Sequence, residues 1–141
     1  MKVRALALAC ALAACGDDAG GASTLDFGVD ADRSCQTDEG VRAVVFEPSC
    51  GTSRCHDADR PRADLDLVSD GFAERLMSAT SVHPRCRERA LVLPGDPADS
   101  LLIEKILGTH GACGDPMPPR DALTPVQRSC VAEWVVALEG R

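Results

Sequence analysis

The segment Cys50-Gly51-Thr52-Ser53-Arg54-Cys55-His56 gathers two thiols and an imidazole on one short stretch of chain. Two thiols so placed can add to the two vinyl groups of a haem, and the histidine directly after the second cysteine then serves as axial ligand to iron. They can also oxidise to a local disulfide, which restricts the unfolded chain least because its loop is short. A third chemistry is a zinc ion held by Cys50, Cys55, His56 and one distant cysteine, although an oxidising compartment works against free thiolates. Haem iron takes a second axial ligand. Met117 is the candidate, in Asp115-Pro116-Met117-Pro118-Pro119, where prolines stiffen an extended loop and the thioether is a soft donor. His110 is the alternative sixth ligand and would lower the reduction potential. His83, before Pro84 in a polar loop, reads as a surface residue, and Met77, at helical spacing, as core. A cysteine beside a histidine in sequence is not a dyad in space, and no nucleophile elbow or phosphate loop is present, so no enzyme is expected.

Helices must carry these residues. Glu39 to Ser49 places Val41, Val44, Val45 and Phe46 on one face and stops near Pro48, delivering the chain to Cys50. Gly71 to Ala79 puts Phe72, Leu76 and Ala79 on one side. Asp96-Pro97 reads as a helix start, followed by Leu101, Leu102, Ile103, Ile106 and Leu107 up to Gly108. The last helix opens with a capping box of Thr124 and Gln127, takes Pro125 at its first position, and carries Val126, Cys130, Val131, Trp134, Val135 and Leu138 as a stripe ending at Gly140. No alternating run of strand length lies between them, so the expected class is all-α, about four helices joined by long Pro- and Gly-rich loops. Large core side chains are scarce: outside Phe27 the aromatics are Phe46, Phe72 and Trp134. Trp134 is expected to pack the last helix on the first, and something besides side chains could fill the middle.

The N-terminus points to export. Lys2 and Arg4 precede the apolar run Ala5 to Ala14, which is too short to span a bilayer, and Gly16-Asp17-Asp18 ends it. Leu12-Ala13-Ala14-Cys15 resembles the lipobox of bacterial lipoproteins, and that resemblance implies lipidation of Cys15 and a membrane anchor at the periplasmic or outer face of the cell envelope. Residues 1–14 are then a signal peptide, 15–38 a flexible tether poor in large apolar groups, and 39–141 one domain of ordinary size. Losing residues 1–14 removes two of the 15 basic residues and none of the 22 acidic ones. Nucleic acid is thereby excluded as an expected partner, whereas a basic redox protein could be oriented by the surplus of carboxylates. Apart from Cys10 and Cys15, six cysteines remain. Cys35, Cys86, Cys113 and Cys130 are the disulfide candidates, with three pairings open.

One resemblance joins these features. A cysteine pair ending in Cys55-His56 after a first helix, Leu65-Asp66-Leu67, Pro94-Gly95-Asp96-Pro97 with Ser100-Leu101-Leu102, Met117-Pro118-Pro119, and Leu123-Thr124 opening a helix with Trp134 together resemble the small cytochrome c domains of the planctomycete type. The similarity spans residues 39–141. It implies haem c bound covalently through Cys50 and Cys55, with His56 and Met117 on the iron, and one-electron transfer with a redox partner at the envelope. The chain departs from that family in having four residues between the cysteines where two are usual, a gap that a bulge at Gly51 would absorb. The four further cysteines are a second departure, and they keep open a haemless, disulfide-stabilised surface lipoprotein with a degenerate form of the same fold.

Overall fold

Thr124 forms the expected capping box: its hydroxyl accepts the Gln127 N–H at 3.2 Å, and Gln127 Oε1 accepts the Thr124 N–H at 3.0 Å. The helix it starts, α4 (Pro125–Ala137), buries Cys130, Val131, Trp134 and Val135, while Val126 is turned outward. This is a computed structural model, and it describes residues 33–141. The signal at 1–14, Cys15 and most of the expected tether lie outside the described residues.

The other helices are α1 (Asp38–Val41), which runs without a break into a π-helical segment (Arg42–Cys50), then α2 (Phe72–Ser78) and α3 (Leu101–Leu107). Among the described residues the backbone forms no strand, only isolated bridges between Thr80 and Ala90 and between Leu93 and Asp96. The class is all-α. No described helix is long and apolar enough to cross a membrane.

Two helix boundaries differ from the sequence expectation. The first helix passes through Pro48 because it widens. An α-helical Pro48 would strand the carbonyl of Val44; here that carbonyl accepts Gln127 Nε2 at 3.3 Å, and Gln127 also donates to Ser49 Oγ at 3.0 Å. The third helix begins at Leu101 and not at Pro97. Asp96 Oδ1 accepts the Asp99 N–H at 3.1 Å in a local turn, and the buried Ser100 hydroxyl donates to Asp96 O at 2.7 Å while accepting the Leu93 N–H at 2.8 Å. The side chain expected to cap the helix is therefore spent on the turn before it.

The folded body also begins earlier than residue 39. A 3-10 turn (Arg33–Gln36) carries Cys35, only 2 % exposed, into a disulfide with Cys130 of α4 across 95 residues. A second disulfide joins Cys86 to Cys113. Together they select one of the three possible pairings. The centre is closed by aromatic rings: Phe46 meets Phe72 and Trp134 edge-on at 5.2 and 5.6 Å, and Phe72 lies 5.6 Å from Trp134. Side chains alone thus fill the middle of the helices, where the sequence had left room for another group.

Candidate functional site

Cys50 closes the π-helical segment, and the chain then turns at Gly51, packed so tightly that a Cβ there would lie 2.0 Å from Val68 Cγ1. Only glycine fits. Thr52, Ser53 and Arg54 bulge into solvent, with Arg54 at φ +75°. The loop is closed on itself by the Cys55 N–H donating to Thr52 O at 2.9 Å and the His56 N–H donating to Cys50 O at 2.9 Å. The four-residue gap is thus taken up as a bulge, and both cysteines come back to the body half-buried.

A returning stretch of loop braces this turn. Arg62 donates its backbone N–H to Cys55 O at 2.7 Å and its Nε–H to Arg54 O at 2.6 Å, and the Leu67 N–H donates to His56 O at 3.1 Å. The ring of His56 is oriented by the same loop: Nδ1 lies 2.9 Å from the carbonyl of Leu65. A carbonyl can only accept, so Nδ1 carries a proton, which in the neutral ring leaves the lone pair on Nε2, the tautomer a metal ligand requires. Asp66 holds the following bend by accepting the N–H groups of Val68 and Ser69 at 2.9 and 3.0 Å. Burial pushes the Asp66 carboxyl up, but those bonds and nearby Arg75 outweigh it, and its pKa is lowered.

The two thiols are the free cysteines among the described residues. Burial, with a smaller contribution from the charge of Cys55, pushes the Cys50 thiol up to about 12. It is therefore a protonated thiol packed on the core at neutral pH. Leu65 beside His56, and Leu102 and Leu107 of α3, are half-buried against that same core.

Met117 is carried by a different element. Its N–H donates to Lys105 O of α3 at 3.0 Å, and its side chain is half-buried. His110 is 7 % exposed, and its Nε2–H donates to Gly114 O at 2.9 Å, which leaves a buried Nδ1 without a partner. The free nitrogen of the His110 ring is thus Nδ1, which is buried and meets no polar atom among the described residues. His83 is half-exposed, its Nδ1 accepting the Arg85 N–H at 3.3 Å.

Zinc does not fit. No group of three or more His, Cys, Asp or Glu side chains is arranged for a metal ion among the described residues, and each distant cysteine that could complete a tetrahedron is half of a disulfide. What remains is two half-buried free thiols and one imidazole on a single turn, with the Met117 thioether on a separate segment held by α3. Sequence reasoning missed Leu65 as the ring's acceptor and Lys105 as the holder of Met117. A backbone carbonyl has no side-chain signature, though Leu65 lay in the Leu-Asp-Leu motif already noted. No family model, curated protein or solved structure matches this chain.

Proposed function

We propose that this domain is a haem c-binding carrier of single electrons, lipid-anchored through Cys15 at the bacterial cell envelope. Cys50 and Cys55 would attach the group covalently, and His56 and Met117 would hold its iron. The observation that carries the reading is the 2.9 Å bond from His56 Nδ1 to Leu65 O, directly after two cysteines left unpaired in a domain whose other four described cysteines are bonded. A surface histidine needs no such orientation, whereas a ligating one does.

Haem, when bound, supplies an iron that alternates between two oxidation states. The chain's part is to hold and shield it. The Gly51–Arg54 bulge sets the two thiols, Leu65 fixes the imidazole, and α3 holds the loop that presents the thioether. The half-buried Leu65 beside His56 would limit water on that side, which together with the choice of ligands would tune the potential. No bond in a substrate is made or broken, so the protein is a carrier and not an enzyme. Its acidic surface favours a basic redox partner.

The second reading, a haemless disulfide-stabilised lipoprotein with the same fold, is favoured by the aromatic cluster of Phe46, Phe72 and Trp134, which completes the core unaided. Visible spectroscopy separates the two. Protein from a host with haem-attachment machinery is expected to show sharp α and β bands when reduced, resistant to acid-acetone extraction, and M117A is expected to lower the potential and abolish the sulfur-to-iron charge-transfer band. A colourless full-length product would establish the haemless reading.

A further inference from the structure

Lys105 is the only lysine after residue 2. It sits in the last turn of α3, where a lysine usually serves the final carbonyls of its own helix or points into water. This one reaches away. Its Nζ donates to Cys113 O at 2.6 Å and to Asp115 O at 2.8 Å, while its own backbone carbonyl accepts the Met117 N–H at 3.0 Å. A single residue thus grips positions 113, 115 and 117.

The segment is shaped to that grip. Between the two carbonyls the chain turns at Gly114, φ +82°, where a Cβ would lie 3.7 Å from Lys105 Nζ and 3.4 Å from His83 Cδ2. His110 Nε2 holds the Gly114 carbonyl from the other side, and the Cys86–Cys113 disulfide fixes the segment's start. Beyond Cys113 no covalent link remains before Met117. Two carbonyls two residues apart are met by one nitrogen, which a compact ammonium with rotatable donors serves better than a planar guanidinium. Partial burial lowers the pKa of Lys105, with Asp115 opposing the shift, in keeping with an ammonium that has exchanged water for backbone oxygens.

We infer that Lys105 is the positioning residue for the Met117 thioether, holding the 113–117 segment so that the sulfur is offered in one place. The inference rests on the proposed axial role of Met117.

The test compares K105M, K105Q and K105R in the full chain by amide hydrogen exchange, and in the haem-loaded protein by the charge-transfer band and the reduction potential. K105M is expected to speed exchange of the Met117 amide about tenfold or more, the factor that goes with losing a hydrogen bond to a charged donor, while α4 amides stay protected. In loaded protein it weakens the band and lowers the potential with haem content unchanged, and K105R restores both in part. Unchanged Met117 exchange in K105M, or an unchanged band and potential, overturns the inference. If K105M does not fold, K105Q, whose amide can serve one of the two carbonyls, is expected to show the same changes at smaller size. If the wild type carries no haem, the electron-carrier reading fails by that result alone and the axial inference with it, and exchange still reports whether Lys105 orders the segment.

Discussion

The indole N–H of Trp134, fully buried on α4, donates to Asp38 Oδ1 at 2.8 Å, and the same carboxylate receives Arg141 Nη1 at 2.9 Å. Asp38 thereby ties the start of α1 and Arg141 to the largest ring of the core. Replacing it by alanine leaves a buried N–H without an acceptor, a loss of about 1–3 kcal/mol. Denaturant unfolding is expected to show that loss for D38A and a smaller one for D38N, which keeps an acceptor oxygen. Equal midpoints for D38A and wild type would mean the indole is satisfied another way.

The two disulfides should contribute unequally. Cys35–Cys130 closes 95 residues and Cys86–Cys113 only 27. By chain entropy these correspond to about 4–5 and about 3–4 kcal/mol. The double variant C35A/C130A is expected to unfold at lower denaturant than C86A/C113A, and equilibrium titrations of the two proteins check the order.

Cys50, unlike Cys55, is packed against the core cluster. With its pKa pushed up to about 12, the Cys50 thiol presents almost no thiolate at neutral pH, and the thiolate is the species that reacts. Brief alkylation of folded haem-free protein at neutral pH is expected to label Cys55 and spare Cys50, with both labelled after denaturation. Peptide mass mapping reads the result, and preferential labelling of Cys50 would show that it is not buried as described.

Glu104 on α3 accepts both terminal nitrogens of Arg89, and that bond, outweighing burial, holds its carboxyl below the usual glutamate value of 4.5. Its pKa is lower folded than unfolded. The stability it contributes is therefore present above the unfolded pKa and disappears as pH falls through the folded one. Arg89 is partly exposed, so solvent limits the contribution to about 1 kcal/mol or less. The stability gap between wild type and E104Q is expected to shrink as the solution is acidified from about pH 6 to about pH 3. A gap that widened on acidification would contradict the ion pair.

Local signals in the sequence survived into the structure more often than long-range ones, although Trp134 does pack the last helix on the first as expected. The Thr124 capping box is legible because both partners sit within one turn, and the Cys50–His56 cluster is compact because its loop closes through its own backbone. The start of α3 was not, since Asp96 serves a turn and a helix cap with the same chemistry. The widened first helix depends on Gln127, far along the chain, to satisfy what Pro48 leaves open. Cysteine pairing likewise is decided by which elements meet. The grip of Lys105 on residues 113–117 is invisible in sequence because its acceptors are carbonyls common to every residue.

The central claim concerns what the sulfurs of Cys50 and Cys55 bond to. Mass analysis of the peptide spanning Cys50–His56, from mature protein made in a host with haem-attachment machinery, tests it most directly. The account predicts that peptide with one haem added through two thioethers, and a Cys50–Cys55 disulfide, or two unmodified thiols, would contradict it.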